Sequence, residues 1–154
     1  MSPVRTNSGA VHPVFALTAW AGIGIGLERL LPSRFLPAIA ESFIAKPILF
    51  AGILLAAWSI FEFWRHGTSL DHGTPIATLV TSGPFRFSRN PIYVGFVLLM
   101  LGFSLSFRSL WALLLIVPAT FAIQRFTVSR EEAYLEREFG EDYVSYRTSV
   151  RRWL

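Results

Sequence analysis

The chain has 154 residues, enough for one domain and too few for two of ordinary size, so residues 1–154 are expected to form a single unit. Hydrophobic residues make up 53% of it and charged residues only 16%, whereas soluble domains usually carry about a quarter charged residues. The composition therefore points to lipid as the solvent. The absence of cysteine excludes disulfides, thiolate nucleophiles and cysteine-ligated metals.

The net charge of +4 could suggest a nucleic-acid partner. The basic residues, however, lie at the ends of apolar segments, where an anionic membrane surface is the simpler partner. We therefore expect a lipid bilayer as partner and no nucleic acid. His66 and His72 lie in a polar loop without a third ligand at a recognisable spacing, so no metal site is expected.

Four apolar stretches follow one another along the chain, each close to the roughly 20 residues that a straight membrane span needs. They are Pro13–Leu31, Pro47–Trp64, Ile92–Phe107 and Leu110–Phe126. The residues before them include Arg5 but lack the short apolar core and cleavage site of a removable signal peptide. The sequence thus predicts an all-α polytopic membrane protein with about four transmembrane helices.

The orientation of these spans follows from the distribution of basic residues, because cytoplasmic loops are enriched in arginine and lysine. Four spans place both termini on the same side, which collects ten basic residues against four on the other. The opposite side would hold Arg29, Arg34, Lys46 and Arg108. Both termini are therefore expected in the cytoplasm, as is any site formed at the same ends of the spans. With neither a targeting signal nor extra spans, we expect a bacterial inner membrane.

Two features within the first spans have structural interpretations. Gly22 and Gly26 lie four residues apart, as close packing between membrane helices requires. Glu62 lies near the cytoplasmic end of the second span. It is expected to pair with Arg65, although an acid within a span is also a candidate functional residue.

The first polar cluster precedes the third span, in the stretch TSGPFRFSRNPIYVGF, residues 81–96. Asn90 followed by Pro91 has the form of an N-cap and a first helical position, so the third helix should begin here. Its free N–H groups and positive dipole end form a natural seat for a carboxylate. Tyr93 would project from the first turn. A merely well-capped membrane helix would explain the same residues.

The second polar cluster follows the fourth span, in residues 129–154. Ser129 and Glu132 have the spacing of a capping box, which would give Glu132 a structural task. Apolar residues alternate with charges up to Gly140, a predicted helix break, so an amphipathic helix on the cytosolic membrane surface is expected. Glu131 is left without a structural task.

The third and fourth spans are separated only by Arg108 and Ser109, so they must form a short antiparallel helical hairpin. The hairpin returns Glu131 to the membrane face where Asn90–Tyr93 begins. A carboxylate and a helix N-terminus then converge. Such a pair suits a zwitterion with a cationic end and a carboxylate end.

These two clusters, in this order across a hairpin, resemble the integral membrane methyltransferases, namely the isoprenylcysteine carboxyl methyltransferases and phospholipid N-methyltransferases. The family patterns are approximately L-V-T-x-G-x-Y/F, R-H-P-x-Y-x-G and E-E-x-x-L-x-x-x-F-G-x-x-Y-x-x-Y. In this chain the matching residues are Leu79, Val80, Thr81, Gly83, Phe85, Arg89, Asn90, Pro91, Tyr93, Gly95, Glu131, Glu132, Leu135, Phe139, Gly140, Tyr143 and Tyr146. The match runs from about Thr78 to Arg152.

The resemblance implies S-adenosyl-L-methionine as methyl donor, bound by a cofactor-binding half that spans residues 77–154. A strand-like stretch formed by Ala77, Thr78, Leu79 and Val80, together with Phe85, would line the adenosine. The methionine and ribose parts would be held by Asn90, Pro91, Ile92 and Tyr93. Glu131 would bind a cationic or hydroxyl group, with Glu132 as a further candidate. Arg89 and Glu131 are predicted to be the most consequential charged residues.

The chain departs from the family pattern at two positions. Asn90 replaces a histidine, so this residue cannot titrate near neutral pH. Thr127 stands where the carboxyl methyltransferases have a substrate-binding arginine, so an amine, a thiol or another lipid-like acceptor is as compatible as a carboxylate. The predicted function is methyl transfer to a lipid-like or isoprenoid-type acceptor. A catalytically inactive accessory or sensor protein of the same fold is the alternative.

Overall fold

The computed structural model describes residues 13–33, 40–67 and 78–154. Six α-helices lie in these ranges: α1 (Pro13–Leu30), α2 (Lys46–Arg65), α3 (Pro91–Ser106), α4 (Leu110–Ile123), α5 (Ser129–Phe139) and α6 (Glu141–Ser149). Short π-helical segments, Ala40–Ala45 and Gln124–Val128, precede α2 and α5, and a 3-10 turn covers Gly83–Arg86. Of the residues named above, Arg5, Arg34, His72 and Ala77 lie outside the described ranges.

The regular secondary structure of the described residues is entirely helical. The prediction of a strand-like stretch is wrong for its described residues, since Thr78, Leu79 and Val80 form no strand. Helices occupy all four predicted apolar stretches. Two of these helices, Phe43–Arg65 and Leu110–Phe139, are long and apolar enough to cross a membrane, and Pro91–Ser106 is apolar but shorter. That all four helices cross the membrane stays a prediction.

Helix α2 buries small or polar residues and exposes many large apolar ones, which is the reverse of the pattern in a soluble protein. Its buried residues are small or polar: Gly52, Ala56, Ser59 and Glu62. Most of its large apolar side chains are exposed, and Trp64 is 82% exposed. A surface of this kind is typical of membrane helices, which pack through small residues and expose apolar ones.

Glycines set the distance between α2 and α3. A Cβ added at Gly52 would lie 3.0 Å from the carbonyl oxygen of Gly95, and one at Gly95 would lie 3.1 Å from Ala56. A Cβ at Gly102 would lie 2.5 Å from the side chain of Leu49. The two backbones approach this closely only because these positions lack side chains.

The predicted packing role of the first-span glycines is wrong for Gly22 and Gly26 within the described ranges, because a Cβ at either position would meet no atom of those residues within 4 Å. The glycine between them makes the contact: a Cβ at Gly24 would lie 2.9 Å from the Ala112 side chain on α4. Nearby, the Trp20 indole nitrogen donates a hydrogen bond of 2.9 Å to the Ala112 carbonyl. Helix α1 therefore packs through Trp20 and Gly24.

The predicted hairpin between the third and fourth helices is confirmed. Ser109 donates its backbone N–H to the Ser104 carbonyl at 2.9 Å, and its side chain accepts from Ala112 N at 3.1 Å, which caps α4. Arg108 adopts a positive φ of 51° at the reversal. As a result, the start of α3 and the end of α4 lie at the same end of the helix bundle, which we call the site end.

The chain continues from α4 into α5 without the break that a capping box at Ser129 would need. The Ser129 hydroxyl donates to the carbonyl of Gln124 at 2.8 Å, within the π-helical segment, so the predicted capping box is wrong. Gly140 ends α5 with a φ of 52°, as predicted for this helix break. A second helix, α6, follows at once, and a membrane-surface position for this region stays a prediction.

Candidate functional site

The two polar clusters meet at the site end. The Tyr93 hydroxyl, from the first turn of α3, donates a hydrogen bond of 2.7 Å to Oε1 of Glu131, from the first turn of α5. Tyr93 is buried against Ile123 and Val128, and Glu131 is half-buried. The convergence inferred from the hairpin is therefore present in the structure.

Helix α3 begins at Pro91 with Asn90 at the N-cap position, as the sequence predicts. The Asn90 side chain does not cap this helix. Its Nδ2 donates instead to the carbonyl of Arg152 at 3.1 Å, while the Ser88 hydroxyl accepts from Asn90 N at 3.1 Å. The first N–H groups of α3 are thus left without a side-chain cap from Asn90.

An ion cluster lies directly beside this helix start. Both carboxylate oxygens of Glu132, which is 8% exposed, accept from Arg152, at 3.1 Å from Nε and 2.6 Å from Nη2. Nη1 of Arg89 lies 3.5 Å from Glu132 Oε1. The cluster therefore holds two guanidinium groups around one carboxylate, and Glu132 belongs to it rather than to a capping box.

Arg89 and Tyr143 carry hydrogen-bonding capacity that the described residues do not use. The Arg89 side chain is 9% exposed, and its Nε and Nη1 atoms have no hydrogen-bond partner in the described ranges. The Tyr143 hydroxyl, on a residue that is 1% exposed, has no partner of good hydrogen-bond geometry there either, but it faces the Arg89 guanidinium, whose charge and side-chain contact act to lower the pKa of the phenol. Buried donors without acceptors are costly, so this arrangement suits a bound water or an anionic ligand.

Two tyrosines of α6, Tyr143 and Tyr146, are buried at the site end. Burial raises the pKa of the Tyr143 phenol, and the nearby Glu132 carboxylate raises it further. The Tyr146 hydroxyl donates to the carbonyl of Phe85 at 2.7 Å, and burial likewise raises its pKa. Both phenols therefore stay neutral at physiological pH, and Tyr146 fixes the 3-10 turn.

The residues predicted to line the adenosine lie along one edge of the site end. Phe85 is buried against Phe63 of α2, with ring centroids 4.8 Å apart, and Val80 is buried as well. Thr78 donates from its side chain to the His66 carbonyl at 3.1 Å. Leu79 is half-buried. Of the residues predicted to hold the methionine and ribose parts, Pro91 is fully buried and Ile92 is half-buried.

An open polar cleft of about 460 Å³ lies between the 3-10 turn and α6. Arg86 and Asp142 contribute charges to its lining, and Thr81 and Tyr146 contribute hydroxyls. None of the residues predicted to bind a cofactor lines this cleft. On the other side of the turn, a small apolar cleft between α2 and α3 is lined by Trp58, Pro91 and Val94, among others.

Sequence reasoning undervalued Glu62 and missed Arg152. Glu62 pairs with Arg65 at 3.7 Å, as predicted, but it is 3% exposed and also accepts a hydrogen bond from the Ser82 hydroxyl. Its side chain lies directly under Gly83, so it supports the 3-10 turn. Its place in the small-residue stripe of α2 could have revealed this. Arg152 stands beside Arg151, and no local signal separates the two.

Comparison with known protein sequences identifies the family of this chain. The model of a family described as phospholipid methyltransferase matches residues 41–142. The fission yeast Schizosaccharomyces pombe "Protein-S-isoprenylcysteine O-methyltransferase" is 40% identical over 74 residues, which cover 47% of this chain and 30% of the yeast protein. An "Uncharacterized protein" of Haemophilus influenzae is 36% identical over 63 residues, its whole length and 41% of this chain. No solved structure matches.

The family match covers well over half of the chain, from the π-helical segment before α2 to the start of α6. It includes Arg89, Tyr93, Glu131 and Glu132, the residues that meet at the site end. This chain therefore belongs to the phospholipid methyltransferase family, a family of membrane methyltransferases.

Proposed function

We propose that this protein transfers a methyl group from S-adenosyl-L-methionine to a lipid-like acceptor at the membrane, with the site end in the cytoplasm. The observation that supports this most is the 2.7 Å hydrogen bond between Tyr93 and Glu131. It places a carboxylate from the first turn of α5 beside the first turn of α3. The family's activity supports the same reaction class.

The charges of the site end fit the cofactor's chemistry. S-adenosylmethionine carries a cationic sulfonium, an amino group and a carboxylate. Glu131 would bind a cationic or hydroxyl group, while the carboxylate would lie near the uncapped start of α3 and the Nε and Nη1 donors of Arg89. These donors are buried, so they would offer an anion hydrogen bonds in a weakly screened setting.

When bound, S-adenosylmethionine would supply the methyl group of its sulfonium for transfer. The chain's own contribution would be to position and desolvate the acceptor, since an in-line displacement needs no covalent enzyme intermediate. Because no strong general base stands out among the described residues of the site, we favour an acceptor that is already ionised or an amine that loses its proton to water.

The acceptor would be lipophilic. The apolar cleft lined by Trp58, Pro91 and Val94 opens between two apolar helices and ends at the first turn of α3. A lipid-like molecule could enter laterally there. The yeast relative is named for isoprenylcysteine, but Thr127 stands here where that class has its substrate-binding arginine, and Thr127 is buried. An amine or a thiol is therefore as compatible as a carboxylate.

Calorimetry with S-adenosylmethionine and purified protein in detergent tests the proposal. Wild type should bind, and Glu131→Ala should lose measurable binding while keeping its fold. Glu138→Ala is the matched control, because it removes an exposed acid from the same helix. A folded wild-type protein without affinity for the cofactor would refute the proposal. Labelled donor and a native lipid extract would then identify the acceptor.

A further inference from the structure

The C-terminal segment Val150–Leu154 fixes the turn that leads into α3. The Arg151 carbonyl accepts from the backbone N–H of Arg89 at 2.9 Å. The next carbonyl, of Arg152, accepts from Asn90 Nδ2 at 3.1 Å and from the Ser88 hydroxyl at 3.3 Å. Two successive carbonyls of this segment thus hold residues 88–90, which lie immediately before the first turn of α3.

The Arg152 side chain contacts the first turn of α5. Its guanidinium forms a two-pronged contact with both oxygens of Glu132, the residue next to Glu131. Paired N–H donors match a carboxylate in both distance and direction, which a lysine ammonium cannot reproduce. The contact therefore fixes the orientation of the first turn of α5 as well as its distance.

We propose that Arg152 is the positioning residue of the methyl-transfer site: its backbone holds the Asn90 side, its side chain holds the Glu131 side, and together they set the spacing between the two. This inference rests on the function proposed above. It assigns Arg152 no contact with cofactor or acceptor, since it acts through Asn90 and Glu132.

The burial of Glu132 distinguishes this contact from an ordinary surface ion pair. Glu132 is 8% exposed, and without Arg152 its only charged partner among the described residues is Arg89, at 3.5 Å. A buried carboxylate that loses its main partner must move or take up a proton. By contrast, the pair between Arg147 and Glu136 is 2.9 Å long, but both side chains are 43% exposed, so it contributes little.

Arg152→Ala removes the guanidinium and keeps the backbone carbonyl. We expect the Kd of S-adenosylmethionine to rise about tenfold or more, because the loss of paired hydrogen bonds to a charged group has an effect of this size when it is transmitted to the site. At saturating cofactor, kcat should fall by a smaller factor. Arg147→Ala, which also removes the arginine of an Arg–Glu pair, should bind the cofactor as wild type does.

Chemical rescue separates positioning from a general loss of structure. The Arg152 side chain is 37% exposed, so a small guanidinium ion from solvent can reach Glu132 in Arg152→Ala. Added ethylguanidinium should lower the raised Kd of Arg152→Ala and leave Arg147→Ala unchanged. Arg152→Lys, which keeps the charge but not the paired donors, should give an intermediate Kd.

The outcomes are separable. If wild type does not bind the cofactor, the proposed function fails and this inference fails with it. If wild type binds, then equal Kd values for Arg152→Ala and Arg147→Ala overturn the inference alone. So does a raised Kd that neither ethylguanidinium nor Arg152→Lys improves. Should Arg152→Ala not fold, Arg152→Lys decides the matter: a wild-type Kd overturns the inference, and a raised Kd supports it.

Discussion

Replacing Tyr93 by phenylalanine tests the contact on which the site depends. The substitution keeps the ring among Ile123, Val128 and their neighbours and removes only the hydroxyl. That hydroxyl donates to Glu131 Oε1 at 2.7 Å, a normal length for a hydrogen bond between a hydroxyl and a carboxylate. Packing should therefore be preserved while one hydrogen bond is lost.

The expected cost follows from the charge and exposure of the partner. Hydrogen bonds to charged groups contribute about 1.5–3 kcal/mol to stability. Because Glu131 is half-buried and can regain some hydration, we expect a loss near the lower value, about 1.5 kcal/mol, in the free energy of unfolding. The affinity for S-adenosylmethionine should also fall, since Glu131 loses the group that orients it.

Reversible unfolding in detergent micelles measures the stability of Tyr93→Phe, with Tyr134→Phe as control. Tyr134 lies on α5, two residues past Glu132, and is half-buried, so its substitution should change stability by less than about 0.5 kcal/mol. A double-mutant cycle with Glu131→Ala, which removes the acceptor, isolates the pairwise energy. If Tyr93→Phe is as stable as Tyr134→Phe and the cycle shows no coupling, the reasoning is wrong.

Three further predictions concern packing and ionisation. Gly52→Ala should destabilise the protein by about 1–3 kcal/mol in unfolding assays, because its Cβ would lie 3.0 Å from α3 backbone, whereas Gly22→Ala, with open space, should not. Trp20→Phe should cost about 1 kcal/mol by the same assay, through the lost hydrogen bond to the Ala112 carbonyl; an unchanged stability would contradict that contact. Because burial raises the folded-state pKa of Tyr146 above its unfolded value near 10, its contribution to stability is complete below about pH 10. Wild type should then lose more stability than Tyr146→Phe between about pH 9 and pH 11, and equal losses would disprove this.

Local sequence signals correctly predicted the features that depend only on residues adjacent in the chain, namely where helices begin and end. Asn90 followed by Pro91 marks the start of α3, and Gly140 marks the end of α5, because each residue restricts or permits backbone angles that no tertiary contact has to supply. The two-residue linker Arg108–Ser109 left antiparallel packing as the only possibility for α3 and α4. That constraint, together with the order of the clusters, was enough to bring Glu131 to Tyr93.

The contacts that individual residues make were predicted wrongly from local patterns in three places. Spacing assigned Glu132 to a capping box, but α4 continues through a π-helical segment, so the helix has no free end at Ser129 to cap. Spacing also chose Gly22 and Gly26 for packing, although the rotation of α1 about its axis brings Gly24 to α4. The Asn90 amide turned from its own helix to the Arg152 carbonyl.

The sequence by itself determined that the protein is helical and where its helices lie, because hydropathy and capping residues are local properties. It also determined the family, because the order of the motifs in the two polar clusters can be read directly from the chain. Only the tertiary structure decided that Arg152 binds Glu132 and that Glu62 supports the turn at Gly83. Both contacts join residues about 20 positions apart. Which arginine or acid makes such a contact depends on how the helices are rotated and spaced, and that is set by the packing of the whole bundle.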